Sequence, residues 1–340
     1  MKKKRSKSIK QKLSILKVIG FGILGLFILL LLFIASINFG LWGKIPSKKE
    51  LSNFQYQMAS EVFTADSVVI GKYYLYDRQP VAFEEFPEHL KQALISIEDE
   101  RFYDHAGIDF KSLIRVGLKT ILMNDESAGG GSTLTQQLAK NLYPRIERNK
   151  TNIVVDKIKE MIIAKRLEKI YNKNEILTNY LNTVSFGDNT FGIESAALKF
   201  YNTRTKDITT AQAATLIGML KATYGYNPRL FPERSISRRN LVLRAMYGNN
   251  YISEEQVYLF TQEELNLDYR EFDYNAGIAP YFREEVRKEM LRWIADQNNT
   301  GSDLNLYTSG LKIYTSLNYK MQKLAEEVMA EHMTKLQNDF

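Results

Sequence analysis

The chain has no cysteine among its 340 residues, so disulfides and thiolate metal sites are excluded. Its first seventeen residues contain no acid but eight bases: Lys2, Lys3, Lys4, Arg5, Lys7, Lys10, Lys12 and Lys17. Those eight exceed the whole-chain net charge of +7 by one, which leaves the rest of the chain at −1. The basic pI is therefore a property of one tail, and no nucleic-acid partner is expected. The glycine run at 129–131 has no Gly-Lys-Ser/Thr after it, so it is no nucleotide P-loop. Leu134 breaks the glycine-x-serine-x-glycine spacing, so it is no nucleophile elbow either.

Charge is also missing from Val18 to Gly43, a run of 26 residues rich in Leu, Ile and Phe. As a helix this run would be about 39 Å long, enough to span a bilayer with some tilt. A cleaved signal peptide would have a shorter apolar region and a small-residue cleavage site, which Ala35–Ser36 matches only weakly. An uncleaved anchor is expected. The basic flank precedes it, so the N-terminus is expected in the cytoplasm and everything after Lys44 outside. Trp42 suits an interfacial anchor.

What is present is 44% hydrophobic content, enough for a packed core. Residues 44–60 read as a polar linker. Residues 61–83 are rich in β-branched and aromatic side chains, with turn signals at Ala65–Asp66 and Gln79–Pro80, and read as one or two strands. Helical patterns dominate from Pro87 to about Thr261. Leu90, Ala93, Leu94 and Ile97 recur at helical spacing and place Glu98 on the apolar stripe, with Phe102 one turn on. A carboxylate pressed against apolar surface is suited to moving protons; a helix-end ion pair is the plainer reading.

Asp109 to Met123 reads as a basic amphipathic helix, with Lys111, Arg115 and Lys119 at four-residue spacing. It suits lipid headgroups or an ordinary core surface. The glycine run at 129–131 feeds a helix start whose free N–H groups could receive an anion; a linker turn is the alternative. Asn152 to Tyr171 is a further helix, with Lys157 and Glu160 one turn apart. Asn174–Asn182 is another. Thr209/Gln212 and Ser253/Gln256 have capping-box spacing, the first opening a helix through Ala222. Arg238, Arg239 and Arg244 line a helix ending near Gly248.

Five segments, in order, resemble the motifs of the peptidoglycan glycosyltransferases of glycosyltransferase family 51, found alone or in class A penicillin-binding proteins. EDERFYDHAG (98–107) resembles ED-x-x-F-x-x-H-x-G, and GGSTLTQQ (130–137) resembles G-x-S-T-x-T-Q-Q. DKIKE (156–160) resembles R-K-x-x-E, with Asp156 where arginine is usual. KNEILTNYLN (173–182) and AATLIGMLKATYGYNP (213–228) resemble the last two, with Thr223 where proline is common.

The resemblance implies a mostly α, lysozyme-like glycosyltransferase domain behind a single N-terminal transmembrane helix, with a few flanking β-strands. The implied layout is a basic tail (1–17), the span (18–43), a linker with short strands (44–85), the glycosyltransferase domain (86–262), and a linker opening a truncated transpeptidase region (263–340). The implied catalytic pair is Glu98, the general base, and Glu160. The implied substrate-binding residues are Asp99, Phe102, Arg115, Ser132, Thr133, Gln136, Gln137, Lys140, Lys157, Lys165 and Asn182. Lys159, Lys165 or Arg166 is expected to replace the cation missing at Asp156, and His105 to be a structural hydrogen-bonder.

The implied reaction polymerises lipid II into β-1,4 glycan with loss of undecaprenyl pyrophosphate. No cofactor is required, although a divalent cation (Mg or Mn) is admitted, and no certain metal ligand is assigned. Implied partners are lipid II, the growing glycan strand, membrane lipid and other cell-wall synthesis proteins, at the outer face of the cell membrane. A transpeptidase would need Ser-x-x-Lys, Ser-x-Asn and Lys-Thr-Gly. Ser14–Lys17 precedes the span, Ser316–Asn318 fits by chance, and the third is absent, so an N-terminal fragment of a bifunctional enzyme is expected. The rival readings are a lytic enzyme of the same fold, with its Glu acting as an acid on a sugar leaving group, and a non-enzymatic membrane scaffold.

Overall fold

The long uncharged run and the basic tail form one helix, α1 (Lys2–Asn38). In the computed structural model, which describes residues 2–52, 58–74, 77–123, 130–144, 150–270 and 277–339, Gly20–Asn38 is long and apolar enough to cross a membrane. Side chains of 2–19, including the basic tail, lie outside the described set. The helix stops five residues before Gly43. Gly40 has φ +83°, Gly40 N–H bonds Ile37 O, and Leu41 N–H bonds Ser36 O. That is the Schellman stop, in which a residue free of Cβ takes the left-handed position.

The remaining helices are all shorter than α1: α2 (Lys48–Ser52), α3 (Glu88–Glu98), α4 (Phe110–Met123), α5 (Leu134–Leu142), α6 (Lys150–Leu167) and α7 (Lys173–Thr183). After them come α8 (Ile193–Tyr201), α9 (Thr210–Met219), α10 (Pro232–Gly248), α11 (Glu254–Gln262), α12 (Pro280–Asn299) and α13 (Tyr319–Asp339). Six strands are described: β1 (Ser60–Phe63), β2 (Val69–Tyr73), β3 (Asp77–Arg78), β4 (Ser185–Gly187), β5 (Thr190–Phe191) and β6 (Lys312–Tyr314). The fold is thus mostly α, as expected.

Both anticipated capping boxes form, at Thr209/Gln212 and Ser253/Gln256, and a third forms at Asn172/Glu175. The helix expected to reach Ala222 ends at Met219. Leu220 N–H and Ala222 N–H turn back three residues, to Ile217 O and Met219 O, tightening the chain before Gly225. The β4–β5 hairpin was not expected. Its turn residues Asp188 and Asn189 have φ +48° and +57°, a primed hairpin turn that Asp and Asn tolerate.

The main core gathers α3, α5, α7, α8 and α9 around side chains such as Leu94, Phe102, Leu138, Leu181 and Leu216. α3 packs on α9 and α10, and α5 packs on α6 and α7. The expected linker also reaches this core. Leu51 is fully buried and Ile45 nearly so, while residues 53–57 lie outside the described set. A second cluster joins Val62, Ile70 and Tyr73 to Ile294, Leu306 and Ile313. It forms because β1 pairs antiparallel with β2 and parallel with β6, in the order β2-β1-β6. The segments on either side of the helical core therefore meet in one small sheet. Their separation in sequence hid that pairing.

Candidate active site

Glu98 is the last residue of α3, and Asp99 leaves the helix with φ −158°. The chain then turns tightly to Gly107. At Gly107, φ is +85°, and a Cβ would lie 3.0 Å from the Ala164 carbonyl carbon and oxygen, so only glycine lets this loop lie against α6. Asp99 is buried and accepts His105 Nε2 at 3.0 Å and Leu134 N–H at 2.9 Å. His105 Nδ1 accepts the Gly107 N–H at 3.2 Å, so the ring proton sits on Nε2, facing Asp99. One carboxylate thus joins the loop after α3 to the first turn of α5, where it also faces the positive end of the helix dipole.

Glu98 itself is half-buried. Gln137 Nε2 donates to its Oε2 at 2.8 Å, and Tyr180 O–H donates to Gln137 Oε1 at 2.9 Å. The tyrosine bond fixes which end of the amide meets Glu98. Burial, reinforced by the Glu98 charge, pushes the Tyr180 phenol well above its ordinary range, so it stays a donor. Tyr180 reads in the sequence only as an inward apolar position. Its hydroxyl role depends on α5 and α7 packing side by side.

Across the opening, Lys157 Nζ donates to Ser132 Oγ at 2.6 Å and to Glu160 Oε2 at 3.1 Å. Glu160 is 5% exposed. Glu98 and Ser132 line the same cleft of about 160 Å³, together with Asp99, Arg101, Asp109, Arg115, Gly130 and Thr133. The structure therefore brings Glu98, Gln137, Ser132, Lys157 and Glu160 to one place. Ala128 and Gly129, at the start of the glycine run, lie outside the described residues, as does the side chain of Lys119.

Arg101 was not anticipated. Its guanidinium holds Asp109 through contacts of 2.6–3.1 Å and reaches Ser112 Oγ, which also receives Arg115. Burial acts to raise the Asp109 carboxyl, but the Arg101 and Ser112 hydrogen bonds prevail and hold it at about 2. Arg101 and Asp109 lie outside any helix or strand, so only the course of the loop brings the two together. A second support was also missed. Glu168 Oε1 accepts both Thr135 and Lys173, and Lys173 Nζ lies 4.5 Å from the centre of the Phe102 ring.

Three residues expected to bind substrate are buried in this structure. Phe102 is fully buried among core side chains. Asn182 is 1% exposed and spends its amide on the Val81 N–H and C=O. Gln136 is 1% exposed and donates to Gly107 O at 3.3 Å. None of the three lines the cleft: Phe102 packs in the core, Asn182 pairs with backbone, and Gln136 is buried with its Nε2 on Gly107 O and its Oε1 without a hydrogen-bond partner. Asp99 and Thr133 line the cleft, but their oxygens are already engaged, Thr133 as the cap of α5 and as donor to Gly107 O. Lys140 and Lys165 are exposed on the last turns of α5 and α6.

Two cations considered as substitutes at Asp156 are committed elsewhere. Lys159 Nζ donates to Trp42 O at 2.7 Å, and Arg166 to Pro46 O and Asn38 Oδ1 at 2.7 and 2.8 Å. Among the described residues no group of three His, Asp or Glu is placed to hold a metal ion. Of the carboxylates lining the cleft, Asp99 is bound to His105 and an N–H, and Asp109 to Arg101.

A family model described as Transglycosylase matches residues 66–247. The chain is 33% identical over 283 residues to penicillin-binding protein 1A of Pseudomonas aeruginosa, covering 83% of this chain and 33% of that protein. It is 31% identical over 290 residues to penicillin-binding protein 1A of Escherichia coli, covering 85% and 32%. A crystal structure of penicillin-binding protein 1A from Haemophilus influenzae aligns over 81% of this chain and 29% of that one, at 24% identity and a TM-score of 0.44. The chain spans about a third of the length of these relatives. With a family match over more than half of its residues, the chain belongs to the transglycosylases of glycosyltransferase family 51, homologous to penicillin-binding protein 1A over most of its length.

Proposed function

We propose that this chain polymerises lipid II into β-1,4 glycan strands, with Glu98 as general base and Lys157 and Lys140 facing the lipid pyrophosphate. The observation that carries the reading is the cleft itself. Glu98, oriented by Gln137, lines it together with Ser132, whose hydroxyl receives the Lys157 ammonium that Glu160 also holds. With Oε2 taken by Gln137, Oε1 of Glu98 is the oxygen offered to an acceptor hydroxyl.

In this reading the acceptor's GlcNAc 4-hydroxyl loses its proton to Glu98 as its oxygen bonds the donor's MurNAc anomeric carbon. The bond from that carbon to the pyrophosphate oxygen breaks, and its electron pair leaves with the pyrophosphate. Single displacement inverts the α-linked donor to a β product. The leaving group is already a stabilised anion. It needs positive charge and N–H donors more than an acid, which suits the Lys157 ammonium and the start of α5. Glu160 then holds Lys157 in place. No step is assigned to a metal ion.

The membrane side of the proposal puts the N-terminus in the cytoplasm and the helical domain outside, with α1 retained as the anchor. Phe110 and Ile114, each 62% exposed beside Lys111 and Arg115 on α4, suit contact with lipid headgroups. The test is incubation with labelled lipid II in detergent, followed by separation of glycan chains. Polymer supports the proposal. Shortened strands from preformed glycan would make the chain a lytic enzyme instead.

A further inference from the structure

Helix α6 carries two sets of charges on different sides. Lys157 and Glu160 pair with each other, and Lys157 also bonds Ser132 in the cleft wall. Lys159 and Arg166 lie seven residues apart, two turns along a second stripe that the 3.6-residue repeat places on the far side. That second stripe meets the end of α1 and the turn that follows. Lys159 bonds the carbonyl of Trp42, and Arg166 bonds the carbonyl of Pro46 and the side chain of Asn38. Beyond the helix, Tyr171 O–H donates to Leu51 O at 2.8 Å.

The α1 side of this joint is itself ordered by specific contacts. Trp42 Nε1 donates to Ser36 Oγ at 3.0 Å, and its ring meets Phe33 edge-on at 5.5 Å. Ile37 is fully buried in the domain core, whereas Leu26 and Phe21, further up α1, are 70% and 72% exposed. An apolar helix that merely tethered the domain would need none of these contacts.

We propose that Lys159 and Arg166 are positioning residues that lock α6 to the end of the membrane helix, so that the bilayer sets the height and tilt of the cleft. The lock acts through α6 on Lys157 and Glu160, two residues and one residue from Lys159. A lipid-linked substrate arrives from the bilayer with its headgroup at a fixed depth, so a swivelling domain would present those residues at the wrong height. A misplacement of about 1 Å can cost on the order of 10²-fold. The kinetic part rests on the lipid II reading, whereas the mechanical part stands without it.

The experiment uses the full chain in lipid nanodiscs. Because there is no native cysteine, Leu26→Cys and Glu255→Cys place two spin labels with no background. Pulsed dipolar spectroscopy should give a narrow distance distribution for the otherwise unaltered chain. It should broaden in Lys159→Ala/Arg166→Ala and be narrow again in Lys159→Arg/Arg166→Lys, which keeps both charges and donors. The alanine pair should lose about 10²-fold in kcat/KM on bilayer-embedded lipid II. It should stay within about threefold on a short-chain, water-soluble analogue, since only the embedded substrate has its depth set by the bilayer. Equal losses on both substrates, or a distribution that the alanine pair leaves unchanged, would overturn the proposal. If no version polymerises lipid II, the functional reading fails and the distance measurement still decides whether the joint is rigid.

Discussion

Replacing Lys157 with methionine probes the cation at the cleft. Methionine keeps most of the apolar stem but removes the charge and both bonds, 2.6 Å to Ser132 and 3.1 Å to Glu160. Breaking a fully buried ion pair costs about 3–5 kcal/mol. Here the Glu160 side chain is 7% exposed but that of Lys157 is 30% exposed, so water replaces part of what is lost. The range for hydrogen bonds to charged groups, about 1.5–3 kcal/mol, is therefore the better measure. For a domain of 150–250 residues each kcal/mol moves the melting temperature by about 2–4 °C, so a fall of about 3–12 °C is expected.

If the same ammonium faces the leaving pyrophosphate, losing about 1.5–3 kcal/mol of transition-state stabilisation slows turnover roughly 10- to 150-fold. Adding Glu160→Gln to the methionine variant removes the carboxylate left behind. Stability should then recover by about 1 kcal/mol relative to the sum of the single changes, as expected for residues in contact. Turnover should not recover, since no cation has been restored. Thermal melting and lipid II polymerisation on the four proteins of the cycle measure both. Turnover of Lys157→Met within threefold of the parent, or recovery of activity together with stability in the double variant, would refute the reasoning.

Glu98→Gln should lower polymerisation by about 10²–10⁴-fold while lipid II binding persists, because the amide keeps the shape but accepts no proton; equal activity would move the base elsewhere. Lys140→Ala, at an exposed position, should leave melting unchanged yet slow turnover roughly 10- to 150-fold if it meets the pyrophosphate. Asp109 is held at about 2, below its ordinary 3.8, so the stability it contributes is present above pH 4 and lost as pH falls from about 4 to 2. Melting curves of Asp109→Asn across that window should therefore fall less steeply with acid than those of the parent, and parallel curves would show that Arg101 contributes nothing there. Protease added to spheroplasts should digest the body of the protein and spare α1; protection of the body, or release of a form lacking residues 1–35, would contradict the proposed topology.

Local pattern carried much of this protein. The apolar run of α1, the stripe that puts Glu98 at the end of α3, and two capping boxes are each set by residues within a few turns of one another. So is the Lys157–Glu160 pair, because residues three apart on a helix must be neighbours. The motifs that mark the family lie in such local stretches, which is why family and helical class were legible before any coordinates.

Tertiary structure decided which of the motif residues reach the cleft. Phe102, Gln136 and Asn182 sit in motif positions, yet packing turns them inward, and no local period distinguishes an inward glutamine from Gln137 beside it. Only the docking of α5 on α7 gives Tyr180 its partner, and only the loop to Gly107 gives Arg101 its own. The pairing of β1 with β6 joins residues some 250 positions apart, beyond the reach of any window on the chain. The charges of Lys159 and Arg166 were visible from the start, but a charge chooses its partner by proximity. It was the approach of α6 to the end of α1 that gave them partners there and not in the cleft.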